Sequence, residues 1–333
     1  MDIKYIKTNP TFYLVAPSFG CTTSPYDKRL KKALKTFSKL KINTIIGPNC
    51  FKNEGIASSN TPYLRAQEFH DAYSSNADVI ISVGGGELMF DILQHIDFDL
   101  IKTKPFKWFI GFSDNTNLTY TLTTICDIPT IYGQNAPSFY SYPLQYDTLD
   151  LLRLLRGEKI FYGYEGFMLE KSKALYPKYN FDHKKVITSY FYTKPFNGIL
   201  LGGCLDCLVN ICGTNFDNTK TYINNHKDKG IIFYFEACDL NSVGIKRALL
   251  KLKYSGWFDN NIKGFLIGRS LNYFDESFGL TTKQAYLSEL QEYKIPILLD
   301  IDLGHIDPSL PIKNGGYATI SYENNNIKIE YLE

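Results

Sequence analysis

The sequence of 333 residues contains no long hydrophobic run. No apolar stretch approaches the roughly 20 residues that a helix needs to cross a bilayer. The apolar stretch nearest the N-terminus, Phe12–Val15, is too short for the core of a secretory signal and is typical of a strand. We therefore expect neither membrane insertion nor export.

An excess of charge of one sign is missing as well. The chain has 36 lysines and arginines against 34 aspartates and glutamates, a formal net charge of +2. The net charge therefore produces no strong electrostatic field that would favour nucleic acid or an anionic membrane as a partner. A local basic patch is still compatible with this net charge. The 44% of hydrophobic residues, with only 14 prolines and 24 glycines, excludes disordered and collagen-like chains. At about 150 residues per domain, the length predicts two globular domains.

Cysteines are few and badly placed for a disulfide framework. Seven of them, an odd number, are scattered from Cys21 to Cys238, which favours a reducing, cytoplasmic location. Cys204 and Cys207 form a C-x-x-C pair, but no second ligand pair follows at the spacing a zinc site needs. We expect buried free thiols there, with a redox pair as the weaker alternative, and neither a metal nor a cofactor.

The first half alternates short apolar runs with amphipathic stretches, which predicts an α/β domain with a parallel sheet. Its predicted strands are Thr11–Ala16, Ile42–Ile46, Val79–Val83, Trp108–Phe112 and Thr130–Tyr132. Its predicted helices are Tyr26–Leu40, Pro62–Ser75, Met89–His95, Asn115–Cys126 and Tyr146–Arg156. This pattern defines an N-terminal domain over residues 1–160.

The pattern fades over 161–195, which we interpret as a connecting region, and it resumes in a C-terminal domain over 196–333. The predicted elements there are strands Gly198–Leu201, Ile231–Phe235, Gly264–Ile267 and Ile297–Ile301, and helices Leu205–Cys212, Val243–Tyr254 and Gln284–Tyr293. Ala318–Tyr322 and Ile327–Tyr331 alternate apolar with polar residues around a polar turn, so a hairpin is predicted near the end of the chain.

Ligands of open α/β sheets gather at the carboxyl ends of the strands, and two unusual strand ends lie in the first half. Gly84–Gly86, followed by Glu87, forms a turn whose backbone amides can approach an anion closely, yet it matches neither a dinucleotide fingerprint nor a P-loop. Ser113 stands at a strand-to-helix corner, where a serine is commonly a helix N-cap. The same corner also suits a nucleophile, with the backbone N–H of Asp114 placed to stabilise an oxyanion.

Two further strand ends carry titratable groups, Glu236 and His305. A lone histidine at a strand end is usually structural. Of the five histidines in the chain, however, only His305 is placed for general-base work. Ser113, Glu236 and His305 together supply a nucleophile, an orienting carboxylate and a base. The sequence pattern alone does not decide between a structural role for these residues and a catalytic triad.

An ordered set of motifs across nearly the whole chain resembles the LD-carboxypeptidase and microcin C immunity protein family of serine peptidases. The matching segments are Val15–Ser18, Gly84–Gly86, Gly111–Thr116, Gly202–Leu205, Phe235–Glu236, Gly264–Arg269, and Gly304–His305 with Pro311 after them. The resemblance implies a flavodoxin-like N-terminal domain with the nucleophile and a smaller, swivelling-type C-terminal α/β domain with the glutamate and histidine. It also implies a homodimer and hydrolysis without a metal.

The same resemblance implies a role for each matched residue. Ser113 attacks the carbonyl, His305 takes and returns the proton, and Glu236 orients the imidazole. Amides of Asp114 and of the glycine turn, at Gly85 and Gly86, form the oxyanion hole. Members of the family cleave an amide bond near a free carboxylate, in a murein tetrapeptide or in an aminoacyl-nucleotide conjugate.

Two departures bear on the choice between these substrates. Murein-recycling members resemble Arg-Gly-Gly-Tyr-Gly at the glycine turn and His-Gly-Pro after the next strand, whereas this chain has Val83–Glu87 and Tyr132-Gly133-Gln134. The cationic groups of that branch are therefore missing, which favours the immunity branch and a peptidyl-nucleotide substrate. Murein LD-carboxypeptidase activity and a non-catalytic protein that binds an anionic ligand at the glycine turn are the alternatives. Aromatic residues of the connecting region, Tyr162, Tyr164 and Phe167, are hypothesised to stack on a nucleobase.

Overall fold

The computed structural model describes residues 4–169 and 174–332, which form two compact units. The first unit spans residues 1–158 and 171–178, and the second spans 159–170 and 179–333. The predicted connecting region 161–195 thus contributes to both units, with its residues 170–173 outside the described part of the chain. The two units are of nearly equal length because most of that region belongs to the second.

The first unit has a sheet of five parallel strands in the order β2-β1-β3-β4-β5. The strands are β1 Thr11–Val15, β2 Asn43–Ile46, β3 Val79–Ser82, β4 Trp108–Gly111 and β5 Thr130–Tyr132. Every residue of β3, β4 and β5 is buried, as expected for parallel strands covered on both faces. This order is that of flavodoxin-like sheets, so the predicted α/β class is confirmed, and the order of strands reverses between β1 and β3.

Five helices accompany this sheet in the described part of the chain. They are α1 Tyr26–Lys39, α2 Pro62–Ser74, α3 Phe98–Thr103, α4 Thr116–Cys126 and α5 Tyr146–Leu155, with 3-10 turns at Met89–His95, Ser113–Asn115 and Ala136–Tyr140. Helix α1 is strongly amphipathic and buries Leu30, Ala33 and Phe37 while its lysines stay outside. The predicted helix Met89–His95 is a 3-10 segment, and α3 was not predicted at all.

A buried carboxylate fixes the carboxyl end of β1. The side chain of Glu68, in α2, accepts the backbone N–H of Ala16 at 2.7 Å and that of Asn49 at 2.8 Å. Burial raises the pKa of Glu68 to about 7, and the hydrogen bonds from these amides oppose that shift. The loops that follow β1 and β2 are therefore tied to the same helix.

The second unit has an eight-stranded mixed sheet in the order β6-β18-β17-β10-β11-β12-β15-β9, in which β10, β11, β12 and β15 are parallel. Strands of the second half of the chain are β6 Ile160–Tyr162, β7 Gly166–Phe167, β8 His183–Lys184, β9 Thr188–Tyr190, β10 Phe196–Cys204, β11 Ile231–Glu236, β12 Ile262–Gly268, β13 Glu276–Ser277, β14 Leu280–Thr281, β15 Ile297–Ile301, β16 Ile312–Asn314, β17 Tyr317–Glu323 and β18 Asn326–Tyr331. Its helices are α6 Leu205–Ile211, α7 Thr219–Asn225, α8 Ser242–Tyr254 and α9 Thr282–Leu290, with a 3-10 turn at Gln291–Tyr293. The central parallel strands place their carboxyl ends along one edge.

The predicted C-terminal hairpin is confirmed as β17 and β18, which pair antiparallel from Ala318 with Tyr331 to Glu323 with Asn326. Asn324 and Asn325 join them with positive φ values of 50° and 60°, the conformation that a tight hairpin turn requires. The region 161–195, where the sequence pattern fades, contains the short strands β7, β8 and β9 and most of β6. Across the described ranges, each helix is too short or too polar to span a bilayer.

Candidate active site

The first candidate site surrounds Ser113, which lies two residues after the end of β4 and is the first residue of the 3-10 turn Ser113–Asn115. Ser113 has a positive φ of 64°, a conformation that costs a non-glycine residue about 1–3 kcal/mol and is common at functional sites. Its backbone N–H donates to the hydroxyl of buried Tyr132 at 3.0 Å. Helix α4 begins only at Thr116, with Asn115 as its N-cap residue, so Ser113 does not cap that helix.

The glycine turn lies against this serine. A Cβ atom at Gly85 would stand 3.3 Å from the hydroxyl oxygen of Ser113 and 3.9 Å from the backbone nitrogen of Asp114. A Cβ atom at Gly86 would stand 2.1 Å from the hydroxyl of Ser18, and Gly86 has a φ of 156°. Gly85 thus borders both the serine hydroxyl and the amide after it, whereas Gly86 faces Ser18.

The side chain of Asp114 holds this corner together, a role that the sequence analysis missed because it considered only the amide. Its carboxylate accepts the Ser18 hydroxyl at 2.5 Å, the Met89 backbone N–H at 2.9 Å and the Asn117 side-chain amide at 2.9 Å. Burial raises the pKa of Asp114, and the hydrogen bonds from Ser18 and Met89 act in the opposite direction. Asp114 therefore joins the loops after β1 and β3 to the serine turn.

The second candidate site is the pair Glu236 and His305 in the second unit. Glu236 ends β11 and is fully buried, and its Oε2 lies 2.8 Å from Nδ1 of His305, whose side chain is 11% exposed. Burial lowers the pKa of His305, but the Glu236 carboxylate and the Cys238 thiol outweigh burial and raise the pKa well above 6.5. The structure therefore brings together two of the residues that the sequence singled out.

Gly304 makes this close pairing possible. It has a φ of 106°, and a Cβ atom there would stand 2.7 Å from both Cβ and Oε2 of Glu236. Its backbone N–H donates to the Ser309 hydroxyl at 2.9 Å. The glycine of the Gly304–His305 motif is thus required both by its backbone conformation and by the approach of the glutamate.

The C-x-x-C segment contributes through the aspartate between its cysteines. Asp206 accepts the backbone N–H groups of Cys238, Asp239 and Leu240 at 2.9–3.0 Å, which fixes the loop that follows Glu236. Cys204 and Cys207 are buried free thiols, and the Cys204 thiol lies 3.3 Å from Asp206. No group of three or more histidine, cysteine or acidic side chains able to hold a metal occurs within 4–169 and 174–332.

Two of the three aromatic residues hypothesised to stack on a base are packing residues. Phe167 is 4% exposed, with the Arg269 guanidinium 4.3 Å from its ring centre and the His183 ring stacked at 5.4 Å. Tyr164 is also buried, and only Tyr162, 55% exposed, has a ring open to solvent. The hypothesis is therefore wrong for Phe167, whose ring packs inside the second unit, and for Tyr164, whose side chain is buried.

Comparison with known proteins identifies relatives over nearly the full length of the chain. The family model of the LD-carboxypeptidase N-terminal domain matches residues 13–133, and that of the LD-carboxypeptidase C-terminal domain matches residues 197–320. A protein of Treponema pallidum (strain Nichols) whose name proposes a carboxypeptidase is 22% identical, over 98% of this chain and 94% of its own length.

Solved structures with the same fold include the microcin C7 self immunity protein MccF. A variant of it in complex with adenosine monophosphate has a TM-score of 0.83 at 23% identity, covering 98% of this chain and 97% of that one. The same protein in complex with aspartyl sulfamoyl adenosine has a TM-score of 0.81 at 23% identity, with the same coverage. The two domain models together match well over half of the sequence, so the chain belongs to the LD-carboxypeptidase family and is a peptidase.

Proposed function

We propose that the chain is a serine peptidase that cleaves an amide bond through an acyl-enzyme on Ser113, with His305 as the general base and Glu236 as its orienting partner. The observation that carries the proposal is the 2.8 Å contact between the buried Glu236 carboxylate and Nδ1 of His305. A carboxylate on Nδ1 fixes the tautomer in which Nε2 is the nitrogen that exchanges a proton. The strained φ of Ser113 and its place at a strand end support its role as the nucleophile.

The chemistry follows from these roles. Nε2 of His305 takes the hydroxyl proton of Ser113 as Oγ attacks the carbonyl carbon, and Glu236 stabilises the resulting imidazolium. Backbone N–H groups of Gly85, Gly86 and Asp114 are proposed to donate hydrogen bonds to the carbonyl oxygen as it becomes negatively charged. His305 then gives its proton to the leaving amine. In the second half of the reaction, His305 takes a proton from a water molecule that attacks the acyl-enzyme. The acyl group leaves Ser113, and His305 returns the proton to the serine.

The substrate proposed is a small peptide or an aminoacyl nucleotide rather than a murein tetrapeptide. MccF, which shares the fold, has been solved with adenosine monophosphate and with aspartyl sulfamoyl adenosine. At the position where the murein-recycling branch is expected to have the histidine of its His-Gly-Pro motif, this chain has Tyr132, a buried residue whose hydroxyl accepts the backbone N–H of Ser113 at 3.0 Å. It therefore brings no positive charge to a substrate carboxylate.

The homodimer and the cytoplasmic location stay predictions. The seven cysteines are all free thiols, which is compatible with a reducing compartment. Five of them are buried, so their state reflects packing as much as location.

The experiment that tests the proposal compares wild type with Ser113→Ala on two substrates, aspartyl sulfamoyl adenosine and a murein L,D-tetrapeptide, with products identified by mass spectrometry. We expect wild type to cleave the nucleotide conjugate and Ser113→Ala to lose at least about 10³-fold in rate while still binding it. Cleavage of the tetrapeptide alone would keep the serine mechanism and overturn the substrate. Cleavage that persists in Ser113→Ala would overturn the mechanism, and binding without cleavage by wild type would support the non-catalytic alternative.

A further inference from the structure

A cavity of about 270 Å³ opens beside α1 in the first unit and takes no part in the chemistry proposed above. Four lysines line it: Lys32, Lys35, Lys39 and Lys178. The three in α1 recur at intervals of three and four residues, so they share one face of the helix. The cavity wall is completed by tyrosines, among them Tyr142 and Tyr176.

Within residues 4–169 and 174–332, no acidic side chain forms an ion pair with the four lysines of this cavity. Helix α1 has six basic residues and one acidic residue, Asp27. In the described part of the chain, the one ion pair of α1 joins Asp27 to Lys31 at 3.7 Å, and neither residue lines the cavity. A concave surface with several unpaired ammonium groups concentrates anions, even though the net charge of the whole chain is only +2.

Hydrogen bonds hold the wall of the cavity in place. Arg29 donates from Nε to the backbone carbonyl of Leu175 at 2.7 Å, and the Tyr140 hydroxyl donates to that of Pro177 at 2.5 Å. These bonds hold the segment 174–178 against α1 and against the 3-10 turn Ala136–Tyr140. The Lys32 ammonium lies 3.8 Å from the ring centre of Tyr176, which orders that side of the cavity.

The aromatic part of the wall indicates what kind of anion fits. Tyr142 is 55% exposed and offers a ring face beside the lysines, with the Lys39 ammonium 5.2 Å from its centre. Stacking of a base on such a ring stabilises binding by about 1–3 kcal/mol and tolerates any base. The bounded volume suits one nucleotide better than a polymer that must pass through.

We propose that this cavity binds a free nucleotide, with its phosphate groups on Lys32, Lys35, Lys39 and Lys178 and its base on Tyr142. The proposal goes beyond the peptidase function and does not depend on it. It assigns to the first unit a second ligand site, formed by α1, the segment after β5 and residues 174–178.

The test is calorimetric titration of the full chain with ATP, with inorganic tripolyphosphate and with a short single-stranded RNA. The site variant is Lys35→Glu/Lys39→Glu, and its matched control is Lys28→Glu/Lys31→Glu, which changes the charge of the same helix equally but outside the cavity. We expect ATP affinity to fall about tenfold or more in the site variant and to change far less in the control. Equal affinity in both, or no ATP binding by wild type, would overturn the proposal.

The other ligands distinguish a nucleotide from related anions. We expect Tyr142→Ala to weaken ATP binding several-fold and to leave tripolyphosphate binding unchanged, because only ATP has a base to stack. If tripolyphosphate binds as tightly as ATP and Tyr142→Ala changes neither, the site recognises phosphate alone and the nucleotide assignment is wrong. Tighter binding of RNA than of ATP, lost in the site variant, would overturn the free ligand in favour of a nucleic acid strand.

Discussion

At the scale of single residues, the contact between Glu236 and His305 sets the pH at which the imidazole can accept a proton. The Glu236 carboxylate helps to raise the pKa of His305 above its ordinary value, so the imidazole becomes a base at higher pH than it would without this partner. The same contact stabilises the fold while His305 is charged, and this stabilisation is lost as pH rises through the pKa of the folded state.

We therefore expect kcat/KM of the wild type to increase with pH through an apparent pKa above 6.5. In Glu236→Gln the negative charge is gone, so the pKa of His305 falls and the rising limb moves to lower pH. The plateau rate should drop about 10²-fold or more, since the imidazolium loses its partner. The control Glu276→Gln makes the same chemical change at an exposed position of the same unit. If kcat/KM of Glu236→Gln rose at the same pH as that of the wild type, this glutamate would not act on the base.

At the scale of secondary-structure elements, the turn after β15 depends on a glycine. In Gly304→Ala the new methyl group would collide with Glu236, at 2.7 Å, and the backbone would be strained at a φ of 106°. We expect a loss of about 2–4 kcal/mol in the free energy of unfolding, measured by urea denaturation, with at least a tenfold loss of kcat/KM.

The matched control for this prediction is Gly279→Ala. Gly279 also has a positive φ, 73°, but a Cβ atom there would meet nothing within 4 Å. The control therefore has the backbone strain without the collision. Its free energy of unfolding should fall by only about 1 kcal/mol, and its activity should be unchanged. Equal losses in both variants would mean that the approach of Gly304 to Glu236 has no special importance.

Some of these elements could be predicted from the sequence, and others could not. Buried parallel strands such as β3 and the hairpin of β17 and β18 were predictable, because hydrophobic period and turn chemistry are local properties. Helix α3 was missed, since its six residues carry little periodic signal. The anchoring role of Asp114 could not be found, because its partner Ser18 is 96 residues away and only the fold brings them together. Gly304 was quoted as part of a motif, but its reason, the nearby Glu236, is likewise a tertiary contact.

At the scale of the whole molecule, the proposed catalytic residues are divided between the two compact units. Ser113 belongs to the first unit, and Glu236 and His305 belong to the second. The first unit contains the strained serine turn, and the second contains the buried acid–histidine pair. Membership of the LD-carboxypeptidase family, whose two domain models match the two halves, supports joint action of these residues in one reaction.

The most direct measurement is labelling of the full chain with a serine-reactive fluorophosphonate, followed by peptide mass spectrometry, in wild type, in His305→Ala and in the control His226→Ala, which removes a half-buried histidine outside the proposed site. We predict that one label per chain attaches at Ser113 in wild type and in His226→Ala, and that the labelling rate falls at least about 10²-fold in His305→Ala, because the serine loses its base. Labelling at a different residue, or labelling of Ser113 that does not depend on His305, would contradict the account.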